Sequence, residues 1–248
     1  MSTTDTAIGL RLYRVWDPVQ RLFHWLNVGC LLGLVAIGTA ILWDKELGVS
    51  AEGKILLKTV HVWIGYLFAA NLALRLAWAF VGSPFGRWRA LLPFGRGYLD
   101  SLRSYLAGSR AGDAPRYLGH NPLGRLMVTA LLLLMSVQAL SGLVLAGTDI
   151  YYPPFGAWIA GWVAAAGVDP STLVPGDKTL VDASAWAEMR ALRKPFIQIH
   201  EAVFYILLGG ALLHIGAVVR AELREGGSLV SAMLNGRKTL DRPPVDQP

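Results

Sequence analysis

The chain carries five histidines: His24, His61, His120, His200 and His214. Four of them fall inside long apolar runs, where an ionisable side chain is costly to place and usually serves a function. His200 and His214 stand 14 residues apart. On an α-helix that is about 1400°, roughly 40° short of four turns, so both leave one face about 21 Å apart along the axis. Two imidazoles facing each other across a helical bundle suit the axial positions of low-spin haem iron. Zinc is the competing ion, but two histidines per site without thiolate or carboxylate companions make a poor structural zinc site. Glu201, beside His200, points about 100° away and does not complete one. The single cysteine, Cys30, excludes a disulfide framework and a thiolate cluster, and there is no Cys-x-x-Cys-His run for covalent haem attachment.

The elements that must position these histidines are membrane helices. Of the 248 residues, 54% are hydrophobic and only 16% charged, against roughly 25% charged in soluble domains. Four stretches, about 22–43, 60–81, 123–147 and 196–219, reach the length of about 20 apolar residues that a spanning helix needs. A fifth, 155–168, is too short to cross and is predicted to lie at the interface, with Trp158 and Trp162 one turn apart. The first 21 residues are polar and contain no apolar core of a cleaved signal peptide. Lys and Arg in the connecting segments divide fourteen to seven in favour of the side holding both termini, which predicts cytoplasmic N and C termini. The fold class predicted is an all-α membrane protein, a four-transmembrane-helix bundle with a long external loop over 148–195. One membrane domain covers 1–225 and a cytoplasmic tail covers 226–248. The formal charge of +6 then reads as loop topology and contact with anionic membrane lipid, not nucleic-acid binding.

With this topology the histidine depths match in two pairs. His24 lies near the cytoplasmic start of the first span and His214 near the cytoplasmic end of the fourth. His61 and His200 lie near the external starts of the second and fourth. Two haems at these depths would form an electron path across the bilayer. Arg75 follows His61 by 14 residues and so faces the same core at the depth of the inner pair. There it could pair with a haem propionate. Gly38 follows His24 by the same 14 and leaves room for a flat macrocycle beside the outer pair. Gly209 and Gly210, between the two histidines of the fourth span, could do the same, although glycine also serves plain helix packing.

These residues resemble a known family. Arg21-Leu-Phe-His24-Trp25-Leu-Asn27 is similar to the first-helix signature of the prokaryotic cytochrome b561 and nickel–iron hydrogenase b-type cytochrome family. His61-Val-Trp-Ile-Gly65-Tyr66, with Arg75 further along, resembles its second-helix motif. His120-Asn121-Pro122-Leu123-Gly124 resembles its third-helix entry, and the spacing of His200 and His214 its fourth helix. The resemblance covers about residues 10–225. It implies a four-helix cytochrome of the bacterial inner membrane holding two b haems, one on His24 and His214, the other on His61 and His200. It further implies electron transfer between the quinone pool and an external redox protein such as a hydrogenase, a dehydrogenase or a c-type cytochrome. The departure from the family pattern is the long segment 149–195, with Tyr151-Tyr152-Pro153-Pro154 and Trp158, Trp162 and Trp186; it shows no hydrogenase-specific feature, which leaves the choice of external partner open.

His120 and Asn121 stand just before the third span, near the depth of the inner pair. Asn121 followed by Pro122 reads as a helix cap. The functional reading makes His120 or Asn121 a hydrogen-bonding partner of a quinone carbonyl and a relay for its proton. Three classes of function follow. The first is an electron-transfer subunit of a respiratory oxidoreductase, with quinone as substrate. The second is a self-sufficient quinol-linked oxidoreductase acting on a small oxidant such as superoxide. The third is a haem-free helical scaffold. A homo-oligomer stays open. A phosphate-binding loop, a nucleophile triad and a paired-carboxylate site are absent from the sequence, and unbroken spans argue against a transporter.

Overall fold

The structure, a computed structural model, describes residues 10–225 and 228–247. In chain order the elements are β1 (Arg11–Arg14), α1 (Pro18–Leu42), α2 (Ala51–Val81), α3 (Trp88–Leu91), α4 (Tyr98–Ala111), α5 (Pro122–Ile150), α6 (Gly156–Val163), α7 (Ala183–Glu225), α8 (Leu229–Asn235) and β2 (Arg237–Leu240). Helices α1, α2, α5 and α7 are long and apolar enough to cross a membrane. Their surfaces expose large apolar side chains. Leu32, Phe80, Leu133, Leu140, Leu212 and Leu213 are each 63–73% exposed, far too much contiguous apolar surface for water but natural against lipid tails.

Each long helix opens on a short polar side chain that accepts the backbone N–H three residues on. Asp17 accepts from Gln20 at 2.8 Å, Ser50 from Gly53 at 3.0 Å, Asn121 from Gly124 at 2.7 Å and Asp182 from Ala185 at 2.8 Å. Such caps satisfy amides that have no partner inside the helix. Pro18 and Pro122 follow two of them, at the first helical position, where a missing N–H costs nothing.

The caps also explain why the helices outrun the apolar stretches. Helix α2 begins at Ala51 instead of 60, and α7 at Ala183 instead of 196, with Pro195 inside it. Hydropathy marks only the part of a helix that lipid solvates, whereas the hydrogen-bond ladder continues until a cap ends it. The connection between α5 and α7 accordingly shrinks from the expected 148–195 to 151–182. The interfacial helix expected over 155–168 is the shorter α6, and its Ile159 and Val163 are buried in a cluster with Met189 of α7.

By contacts the chain divides into two compact units. Of the described residues, the first comprises 10–24, 74–133, 208–225 and 228–247. Here β1 pairs antiparallel with β2, Arg11 opposite Leu240, over a core of Val15, Trp16, Leu118, Ala232 and Leu240. Polar links tie the C-terminal residues to the segment before α5. The Arg116 guanidinium donates to both oxygens of Asp241 at 2.8 and 2.9 Å. The Asp246 carboxylate accepts from the amides of Leu118 and Gly119 at 2.6 and 2.8 Å. Lys238 donates to the Tyr117 carbonyl at 2.5 Å. The stretch expected as a tail is therefore folded over 228–247.

The second unit comprises residues 25–73 and 134–207. Its cap core is Ile159, Val163 and Met189, with Tyr151, Trp162, Leu173, Val181 and Trp186 packed around it. Trp158 stacks on Trp162, ring centroids 5.6 Å apart. Asp149 near the end of α5 pairs with Lys58 of α2 at 2.6 Å and with Arg193 of α7.

Candidate functional site

In the second unit, α2 and α7 bring His61 and His200 face to face. Their ring centroids are 6.3 Å apart and their planes meet at 72°. Two imidazoles on one metal ion, each bonded at roughly 2 Å, hold their centroids roughly 6 Å apart. The rings are half-buried, and the His61 Nδ1 atom is buried with no hydrogen-bond partner among the described residues. Among those residues no three His, Cys, Asp or Glu side chains converge. A donor set of two imidazoles and nothing else suits haem, whose macrocycle supplies the other four nitrogens, and does not suit a bare ion.

Helix α5 orients His200. Ser141 Oγ lies 2.9 Å from His200 Nδ1 and 2.8 Å from the Val137 carbonyl. The hydroxyl hydrogen serves the carbonyl, so the oxygen accepts from Nδ1–H, which leaves Nε2 as the unprotonated nitrogen, the one that could bind a metal. The Gln138 amide nitrogen stands 3.1 Å from that Nε2 and donates to it; a rotation of this side chain clears it for a metal. Two glycines let neighbouring backbone reach the rings. A Cβ on Gly38 would meet His61 Cε1 at 3.3 Å, and one on Gly142 would meet His200 Cε1 at 3.2 Å. Gly38 thus faces the imidazole edge itself.

Sequence reasoning did not single out Gln138, Ser141 and Gly142. The available signal was their polarity and small size in the middle of an otherwise apolar run. Which residue of another helix they would meet is not written locally.

In the first unit, His24 of α1 lies within electrostatic reach of His214 of α7. Arg75 of α2 donates to the Gly86 carbonyl at 3.3 Å, and the Asp17 carboxylate is within electrostatic reach of it. Burial alone would raise Asp17, but the hydrogen bond from the Gln20 amide, with the Ser83 hydroxyl and the Trp78 indole nearby, outweighs it and holds the carboxyl below its usual range. Arg75 therefore has a neutral acceptor and a nearby anion.

His120 stacks at a tilt on Trp16, with ring centroids 4.9 Å apart. Burial first, then the nearby charges of Arg75, Lys238, His214 and Arg125, push its pKa down to about 3. The ring is neutral at physiological pH, and its Nδ1 is buried without a hydrogen-bond partner among the described residues. Alongside it runs a cavity of about 710 Å³ lined by Phe85, Arg89, Tyr117, Arg125 and Asp246 as well as His120. Asn121 is engaged at both ends of its amide. Its oxygen caps α5, and its amide donates to the Tyr105 hydroxyl at 2.8 Å. Of the two residues proposed for quinone, His120 has the open valence.

The chain matches the family model of prokaryotic cytochrome b561 over residues 15–236. It is similar to proteins named "Probable Ni/Fe-hydrogenase B-type cytochrome subunit". The one from Rhizobium leguminosarum bv. viciae is 26% identical, over 94% of this chain and 92% of its own length. The one from Bradyrhizobium diazoefficiens is 23% identical, over 94% and 89%. A relative in Escherichia coli K12, named as the hydrogenase 1 subunit, is 28% identical over 57% of this chain and 63% of its own. With four helices able to span a bilayer, the chain belongs to the prokaryotic cytochrome b561 family, as a multi-pass b-type cytochrome of the inner membrane that carries electrons through haem.

Proposed function

We propose that the chain holds two b haems, on His61 with His200 and on His24 with His214, and passes electrons between membrane quinone and a hydrogenase docked on the external side. The observation that carries this reading is the facing imidazole pair at 6.3 Å, with Ser141 setting the tautomer of one ring. When bound, each haem supplies a one-electron carrier. The protein's part is to orient the ligating nitrogens, exclude competing donors and balance charge, with Arg75 placed to meet a propionate of the inner haem. The names of the relatives favour a hydrogenase partner over direct reaction with a small oxidant. Quinone enters at the cavity beside His120. A neutral imidazole can accept a hydrogen bond from a quinol hydroxyl at its bare nitrogen, or donate one from its N–H to a quinone carbonyl, and so orient the headgroup without carrying a charge into the membrane edge.

A reduced-minus-oxidised spectrum of the purified chain, with a pyridine haemochrome assay, should give two b haems per chain. His200→Ala and His214→Ala should each leave one. A wild-type content of one haem would remove the second centre from the proposal. His120→Ala should slow quinol-driven haem reduction on the order of tenfold or more, with dithionite-reducible haem unchanged. An unaltered rate removes His120 from quinone chemistry.

A further inference from the structure

The second unit carries a charge cluster that haem ligation leaves unused. Asp149 bridges Lys58, Nζ to Oδ2 at 2.6 Å, and Arg193, on Oδ1. The three side chains are only 24%, 15% and 17% exposed. Two cations share one anion, so the cluster retains a net positive charge where charge is expensive. Its position is tied to the histidines. Lys58 precedes His61 by three residues on α2, and Arg193 precedes His200 by seven on α7. On a regular helix these offsets correspond to about 20° and about 10 Å between Arg193 and His200, with Pro195 standing between them on α7, and to about 60° and about 4.5 Å between Lys58 and His61. Lys58 and Arg193 meet through Asp149, and the two imidazoles meet directly, so α2 and α7 run the same way within this unit. Both cations therefore lie on the same side of the imidazole pair, one to two turns away.

We propose that Lys58 and Arg193 are the carboxylate-binding end of the cofactor pocket, taking the two propionates of the haem held by His61 and His200. The inference rests on the haem reading of that pair. A b haem is amphipathic, with both carboxylates on one edge, and it requires cations on one side of its ligands only. The ammonium offers three donors and the guanidinium a planar fork of five, more than one Asp149 carboxylate can fill. Asp149 is the carboxylate that occupies these donors within the chain, and it keeps the net charge of the cluster low. The arrangement orients the haem with its polar edge towards the N-terminal ends of α2 and α7.

The test compares retention of iron protoporphyrin IX and of its dimethyl ester, which lacks the two charges. The probe is added to purified full chain, and occupancy is read from the absorbance lost on His200→Ala. The unsubstituted chain should favour the free acid at this pair by at least tenfold. Lys58→Gln with Arg193→Gln should remove most of that preference and leave the His24/His214 pair unaffected. Asp149→Asn, which keeps both cations, should hold or increase the preference. If the double variant keeps the full preference, or if Asp149→Asn loses occupancy as the double variant does, the cluster is a helix staple and the proposal fails. If the unsubstituted chain takes up neither porphyrin at His61 and His200, the haem reading of that pair itself falls.

Discussion

At the scale of single residues, the four ligand candidates stood out in the sequence because ionisable groups are scarce in apolar runs, whereas their orienting partners did not. Ser141 is an ordinary small residue until His200 Nδ1 is seen 2.9 Å from its oxygen. Losing that acceptor frees the ring to turn or change tautomer, so Ser141→Ala should weaken haem retention at the His61/His200 pair by roughly tenfold. Ser141→Thr, which keeps the hydroxyl, should restore it. Titration of the apo-protein with haem measures both, and equal retention in Ser141→Ala and the unsubstituted chain would show that the hydroxyl does not position the ligand. Asn121 illustrates the opposite outcome. Its cap role was legible from Asn-Pro at a helix start, and the bond to Gly124 at 2.7 Å bears that reading out.

Among the elements, the apolar cores of the four long helices were legible, but their ends were not, because hydropathy stops where lipid stops. The caps at Ser50 and Asp182 extend α2 and α7 well beyond their apolar runs. The strands were not expected at all. Each has only four residues, too short for an alternation signal, and each exists because the other is beside it. The same holds for the ties between the C-terminal residues and the segment before α5. Arg116 is buried and paired with Asp241, and that guanidinium holds the carboxyl below its usual range. Asp241→Asn should cost about 2 kcal/mol of stability near neutral pH, read as a lowered thermal midpoint in detergent. The loss should shrink as pH falls through the carboxyl's titration, because the folded form favours the ionised carboxylate and that advantage vanishes once it is protonated.

For the whole molecule, the prediction that follows from charge is orientation. Fourteen Lys and Arg against seven bias the termini to the cytoplasm, because basic segments are retained on that side. A fluorescent protein fused after residue 248 should therefore be bright in cells, and alkaline phosphatase at the same place inactive. The reverse pattern would turn the molecule over and with it the sides assigned to quinone and to the protein partner.

Membrane residence, the number of possible crossings and the side chains that could hold haem were all legible in the residues. Those properties depend on composition and on the helical repeat, and both are local. The pairing of His200 with His61 was already expected from depth; helix packing alone shows how the two rings meet, that Ser141 and Gln138 attend His200, and that Lys58 and Arg193 share Asp149. The reason is sequence distance. Ser141 and His200 are 59 residues apart, Lys58 and Asp149 are 91, and Arg116 and Asp241 are 125. No periodicity reaches across such gaps; only the packing of one helix against another selects the partner.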